Sequence, residues 1–148
     1  MAPFIVLIGS FGLFRLLGYA GVPYFGDWQH ALQAAVSAML LLAASAHWGK
    51  RRSDLVRMVP RRLPFAEALV TATGLLELAG AAALFVPSLS RYAAAGLVAL
   101  FVLLFPANVK AARERLTIGG KPVPGLAVRA AMQLIFIAAA LFAVPFVS

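Results

Sequence analysis

Long apolar runs separated by short polar connections dominate this chain. Five runs, at about residues 3–22, 28–48, 65–86, 91–109 and 126–146, are long enough to cross a bilayer as helices. A bilayer core of about 30 Å needs about 20 helical residues. The runs are too long and too continuous for the strands of a membrane barrel. The pattern predicts an all-α fold, a polytopic transmembrane bundle of about five helices forming a single membrane domain over residues 1–148.

The overall composition agrees with this interpretation. Apolar residues make up 63% of the chain and charged residues 12%, and the mean hydropathy is +0.93. Soluble domains have roughly 45–50% apolar and about 25% charged residues, and disordered chains are poorer still in apolar residues. The chain has no cysteine, which excludes thiol chemistry and thiolate metal sites. The first run contains Arg15 and lacks a basic N-terminal region, so we expect a retained spanning helix rather than a signal peptide.

The basic residues are concentrated in two of the connections. Six cations lie between the second and third runs, and five lie at or after the end of the fourth, which accounts for eleven of the thirteen in the chain. They are Lys50, Arg51, Arg52, Arg57, Arg61 and Arg62, and then Lys110, Arg113, Arg115, Lys121 and Arg129. A five-helix chain places both connections on one side, and the positive-inside rule makes that side cytoplasmic. We therefore expect a multi-pass protein of the cytoplasmic membrane, with the N-terminus inside, the C-terminus outside, the lipid bilayer as a partner and no nucleic acid bound.

A series of short motifs follows in order along residues 28–146. The motifs are Ala46-His47-Trp48, Met58-Val59-Pro60, Leu63-Pro64, the run from Thr73 to Ala81, the run from Phe105 to Val109, and Arg129 with Gln133. In order and spacing they resemble the DoxX family of small membrane proteins. The resemblance implies a four-helix core over residues 28–146, with residues 3–22 as an extra N-terminal helix. The chain departs from the family in that extra helix and in Trp48, where a phenylalanine is commoner.

The resemblance also carries an expectation about function. Some DoxX relatives are associated with thiosulfate:quinone oxidoreductase or with membrane complexes that detoxify oxidants. It therefore implies a subunit or accessory of quinone-linked redox or oxidant-stress metabolism, and we expect this subunit to be non-catalytic or weakly catalytic rather than an independent enzyme. Quinone is then the implied cofactor, and a membrane redox partner or a second copy of the chain is the implied protein partner. Two alternatives stay open, a structural or assembly module without chemistry of its own and a small-molecule carrier in which Arg15 and Glu77 line a pathway.

Glu77 is the most conspicuous charge within an apolar run. It lies near the middle of the third run, between Gly74 and Gly80, which allow a neighbouring backbone to approach closely. A carboxyl group at that depth must pair, accept hydrogen bonds or stay protonated. Arg15 has a similar depth if the first and third helices are antiparallel, so we expect a structural Arg15–Glu77 pair. A proton-relay or quinone-contact role and an inert protonated carboxyl are the alternatives.

A second polar group is expected near the cytoplasmic end of the bundle. His47, Glu67, Asn108 and Gln133 have comparable depth and, with Glu77, form a candidate cofactor-binding pocket for a quinone headgroup. Three of them also have a structural interpretation. His47 hydrogen-bonds at the interface, Glu67 complements a helix N-terminus, and Asn108 satisfies carbonyls freed by a proline. No catalytic motif or metal-ligand spacing is present in the sequence. The two histidines lie 17 residues apart, about 25 Å along one helix, too far to share a haem iron.

Overall fold

The computed structural model describes residues 2–145, and this part of the chain is mainly helical. Its α-helices are α1 (Ala2–Tyr19), α2 (Trp28–Ser45), α3 (Arg52–Met58), α4 (Ala66–Ala83), α5 (Ser90–Arg113) and α6 (Leu126–Phe142). Two short 3-10 helices cover Pro23–Gly26 and Ala46–Trp48, and two strands, β1 (Thr117–Ile118) and β2 (Lys121–Pro122), form a hairpin. The five long helices match the five apolar runs. Phe146, the expected end of the last run, lies outside the described residues.

Four of these helices are long and apolar enough to cross a membrane. They are α1, α2 with its 3-10 extension to Trp48, α4 and α5. Helix α6 is also apolar but has 17 residues, slightly fewer than the other four. The predicted membrane character is thus matched in length and composition by four helices of the described chain, with α6 close to the same length.

Helix α2 lies at the centre of the packing. It contacts α1, α4 and α6, while α5 packs against α4 and α6, so that α2, α4, α5 and α6 close a four-helix ring. Half of the α2 span is buried, against 6% of α1, where Leu7 is the buried residue. Small and branched side chains of α2, including Ala35, Val36 and Leu40, form the core with residues of α4, α5 and α6. Helix α1 is an outer helix applied to α2.

Local sequence signals account for several of the helix boundaries. Asp27 caps α2 by accepting a 2.9 Å hydrogen bond from the backbone N–H of Gln29, which satisfies a donor that the first helical turn leaves free. Helix α4 begins at Ala66, directly after Pro64 and the N-cap residue Phe65, which has a left-handed backbone (φ 58°). Pro106 lies inside α5 rather than ending it, and the helix continues to Arg113. These features agree with the predicted segments to within a few residues.

The two basic connections meet at one end of the bundle. The β1–β2 hairpin turns through Gly119 and Gly120, both at positive φ, which suits a two-residue hairpin turn. The Gly119 N–H donates to Asp54 Oδ2 of α3 at 3.0 Å, and Asp54 also pairs with Arg57. Lys110 Nζ donates to the carbonyls of Arg57 and Val59 at 2.7 and 2.8 Å. The Gly119 hydrogen bond, and then Arg57, hold the pKa of the Asp54 carboxyl below its usual value.

Candidate functional site

A buried histidine joins the end of α2 to α4. His47 lies in the 3-10 helix Ala46–Trp48 and is 7% exposed. Its Nδ1 donates to the backbone carbonyl of Val70 at 2.6 Å. Because a carbonyl oxygen can only accept, this contact places a proton on Nδ1. The other ring nitrogen, Nε2, is therefore the atom that can gain or release a proton, and it lies 3.4 Å from Glu77 Oε2.

The partner of His47 in this contact is Glu77, which lies two turns after Val70 on α4. It is 5% exposed. Its Oε2 makes no hydrogen bond within residues 2–145, and its contact with His47 Nε2 is an ion-pair contact. With Nδ1 protonated, one further proton held between His47 Nε2 and Glu77 Oε2 makes the pair neutral overall. An imidazolium with a carboxylate and an imidazole with a carboxylic acid both meet this condition. Adding or removing that proton leaves a net charge in an apolar bundle, which is costly.

Gly74 makes room for the histidine ring. A Cβ atom at this position would lie 2.8 Å from His47 Cγ and 2.9 Å from Trp48 Cη2, closer than atoms of these kinds approach. Gly80 likewise faces Leu97, whose Cδ2 would lie 2.6 Å from an added Cβ. The sequence predicted that these glycines admit a neighbouring backbone. In the structure they admit side chains, because the 3-10 helix after α2 presents His47 and Trp48, and α5 presents Leu97, to α4.

Arg52, in the first turn of α3, forms hydrogen bonds with both the segment that contains His47 and the start of α4. Its Nη1 donates to the carbonyl of His47 at 2.8 Å, and its Nη2 donates to the carbonyl of Glu67 and to Thr71 Oγ1, each at 2.9 Å. One guanidinium group thus ties the end of α2 to the first turns of α4. Sequence reasoning counted Arg52 only among the topological cations. Nothing in its spacing distinguishes it from Arg51, because its role depends on how α3 turns back against α4.

The expected Arg15–Glu77 pair is not formed. Arg15 Nη1 instead donates to the carbonyls of Phe25 and Gly26 at 3.2 and 3.1 Å, and Nη2 donates to the Tyr19 hydroxyl at 3.1 Å. The pairing failed because α1 packs on α2 and its arginine reaches carbonyls of the 3-10 helix Pro23–Gly26.

The five predicted pocket residues occupy three separate places. His47 and Glu77 are in contact between α2 and α4. Asn108 accepts a hydrogen bond from Arg129, and Gln133 donates to the Phe101 carbonyl, so both amides are engaged between α5 and α6. The Glu67 side chain is exposed in the first turn of α4, where a carboxylate complements the helix dipole. Of the five, the structure brings only His47 and Glu77 into contact.

The comparisons with known proteins give a family. The model for the Domain of unknown function (DUF8561) matches residues 36–144, about three quarters of the chain. The chain belongs to the DUF8561 family. No curated protein and no solved structure matches it. The DUF8561 region begins inside α2 and includes His47, Arg52, Gly74 and Glu77, whereas α1 with Arg15 lies before it.

Proposed function

We propose that this DUF8561 protein is an integral protein of the cytoplasmic membrane and that its His47–Glu77 pair is a proton-exchanging site. In this proposal it serves as a non-enzymatic accessory subunit in quinone-linked redox or oxidant-stress metabolism. Four helices of spanning length support the membrane assignment. The redox assignment is supported by the resemblance to DoxX proteins, since His47 and Glu77 both lie within the motifs that carry it. A membrane redox partner or a second copy of the chain completes the proposed complex.

The distribution of cations supports a definite orientation. Both basic connections lie at one end of the bundle, where α3 contacts the β1–β2 hairpin and Lys110 contacts the end of α3. The positive-inside rule assigns this end to the cytoplasm, which puts the N-terminus inside and the C-terminus outside. His47, next to that end, is then reached by protons from the cytoplasmic side.

The observation that carries the proposed function is the buried contact between His47 Nε2 and Glu77 Oε2. Reduction of a quinone to a quinol consumes protons together with electrons. That reaction takes up two protons and two electrons. The pair would therefore deliver its one transferable proton twice, regaining a proton from the cytoplasmic side in between, and the redox partner would supply both electrons. Quinone, if bound, would supply the redox chemistry, and the residues of this chain would hold the proton at His47 Nε2 and exclude water from it. The carbonyl of Val70 fixes the ring so that Nε2 faces the carboxyl group.

Glu77→Gln tests this function with little disturbance of the fold. A glutamine amide can still hydrogen-bond His47 Nε2 but has no proton to exchange. In lipid nanodiscs we expect the variant to fold as wild type. We also expect it to lose the pH-dependent carboxyl band in the infrared difference spectrum and to retain less quinone after extraction. Asn108→Leu is the matched control, because Asn108 contacts Arg129 and not His47. Unchanged quinone retention and an unchanged carboxyl band in Glu77→Gln contradict the proposal.

A structural module is the second candidate, and the packing around Gly74 favours it. His47 and Trp48 fill the space over this glycine, so these two side chains also hold the end of α2 against α4. A purely structural role predicts that Glu77→Gln behaves as wild type in every proton and quinone assay. Glu77→Leu, which cannot hydrogen-bond His47, then lowers the yield of folded protein without any separate effect on quinone.

A further inference from the structure

The cations at the basic end divide into two sets. Arg52, Arg57, Arg61 and Lys110 are bonded to carbonyl or carboxylate oxygens of the protein. The residues of a second set are exposed, and their side chains make no hydrogen bond or ion pair within the described residues. The members of this set are Lys50, Arg51, Arg62, Arg113, Arg115 and Lys121. Two acids of this end, Asp54 and Glu114, are already paired with the first set. The second set therefore has charge available for an anionic ligand.

Two of the free cations line a groove at the end of α2. Lys50 and Arg51 border an open cavity of about 320 Å³ together with Leu42, Ser45, Ala46 and Gly49. The apolar wall, Leu42 and Ala46, lies on the last turns of the spanning helix. The two cations lie just beyond its end at Trp48. We name this cavity the Lys50–Arg51 groove.

The order of these groups matches the chemistry of a membrane lipid. A lipid presents an acyl chain at membrane depth and a phosphate at the interface, and the groove presents an apolar wall followed by two positive charges. Clusters of Lys and Arg next to a spanning helix attract anionic lipids in this way. Ser45 Oγ already donates to the Leu42 carbonyl, so the charges rather than the hydroxyl provide the contact with the phosphate.

We propose that the Lys50–Arg51 groove binds the phosphate headgroup of an anionic bilayer lipid, with an acyl chain along Leu42 and Ala46. This inference rests on the proposed membrane placement and is independent of the His47–Glu77 pair. Arg51 also lies against the hairpin, since a Cβ at Gly119 would be 3.3 Å from its Nε. A lipid held by Arg51 therefore lies next to the point where the hairpin docks on α3, and it adds a contact between α2 and the hairpin.

Two double variants with the same loss of charge test the groove. Lys50→Gln/Arg51→Gln removes the groove cations, and Arg113→Gln/Arg115→Gln removes two exposed cations elsewhere on the same end. Each protein is reconstituted in vesicles of phosphatidylglycerol and phosphatidylcholine, extracted in mild detergent, and examined by native mass spectrometry for retained lipid. We expect the wild type and the control to retain phosphatidylglycerol in preference to phosphatidylcholine. We expect the groove variant to retain about 25-fold less, since each of the two cations contributes about fivefold.

The other outcomes each have a definite meaning. Equal losses in the two double variants, or no loss in either, overturn the groove as a specific site. Displacement of the lipid by inorganic phosphate at concentrations similar to those of the lipid overturns the lipid assignment in favour of a soluble anion. Failure of the wild type to enter vesicles overturns the membrane proposal instead. If the double variant does not fold, the single exposed change Lys50→Gln gives the same comparison with about a fivefold loss expected.

Discussion

Two interfaces in this bundle place polar groups between apolar helices, and they do so with different chemistry. The α2–α4 interface holds His47, the Val70 carbonyl and Glu77. The α5–α6 interface holds Gln133 against the Phe101 carbonyl and Asn108 against Arg129. In the first, two titratable side chains face each other. In the second, the groups are amides and a guanidinium, which keep their protons across the ordinary pH range.

The difference shows where proton chemistry can occur in this fold. Each interface makes buried hydrogen bonds and also leaves one buried polar atom without a hydrogen bond, Glu77 Oε2 in the first and Arg129 Nε in the second, so hydrogen bonding alone does not set them apart. The α2–α4 interface also contains the close contact over Gly74, and Arg52 closes it at the basic end. The α5–α6 interface is therefore the natural internal control, because it has comparable polar contacts without a proton to exchange.

The largest effect is expected where the titratable pair is broken outright. Glu77→Leu leaves His47 Nε2 buried without a partner, and we expect the free energy of unfolding to fall by about 3 kcal/mol. Glu77→Gln, which keeps a hydrogen-bonding group, should lose less than about 1 kcal/mol. Denaturing-detergent titration of the two variants measures the difference. Equal losses in both would show that the carboxyl group is not paired with His47.

A smaller loss is expected from filling the space over Gly74. Gly74→Ala places a methyl group against His47 and Trp48, and overpacking of this kind costs about 2 kcal/mol. Gly96→Ala on α5 is the control, because an added Cβ there has no neighbour within 4 Å. In the same titration the control should be neutral or slightly stabilising, since alanine favours a helix. An equal loss of stability in Gly96→Ala and Gly74→Ala would contradict the claim that the α2–α4 interface is packed more closely at Gly74.

The α5–α6 interface should respond more weakly and without pH dependence. Gln133→Leu removes the side-chain hydrogen bond to the Phe101 carbonyl, and we expect a loss of about 1 kcal/mol that is the same at acidic and neutral pH. Glu77→Leu should instead give a loss that differs between acidic and neutral pH, because it removes a titratable group from the bundle. Measuring both variants at two pH values separates the interfaces. A pH-dependent loss in Gln133→Leu would contradict their distinction.

The smallest effect lies outside both interfaces, where α3 meets the hairpin. The pKa of Asp54 is lowered in the folded protein, so its contribution to stability is present above its unfolded pKa, near pH 4. That contribution is lost as the pH falls through the lowered folded pKa. The amide resonance of Gly119, which donates to Asp54, should shift over that range in the wild type and stay constant in Asp54→Asn. A shift that persists in Asp54→Asn would assign the titration to another group.

The apolar pattern predicted the long helices but not the connections between them. The runs around α1, α2, α4, α5 and α6 are set by hydrophobic length, which a sequence shows directly. Helix α3 has seven residues, and β1 and β2 have two each, too short for a periodic signal. They form because Asp54, Gly119 and Lys110 bond across the two connections.

The sequence identified the polar residues of the candidate site but did not predict which of them contact each other. Depth along a helix placed Arg15 near Glu77 and grouped Asn108 with His47. Depth does not give the rotation of a helix or the identity of its neighbour. Helix α1 packs on α2 rather than α4, and Asn108 faces α6, so neither contact is made. His47 and Glu77 meet because Gly74 lets the ring lie against α4.

The central claim, that His47 and Glu77 share one exchangeable proton, is tested most directly by nitrogen NMR of labelled histidine in nanodiscs. We expect His47 Nδ1 to be protonated throughout the pH range. We also expect the Nε2 resonance to move with pH in the wild type and this movement to be absent in Glu77→Gln. An unprotonated Nδ1, or an Nε2 resonance with the same pH response in both proteins, would contradict it.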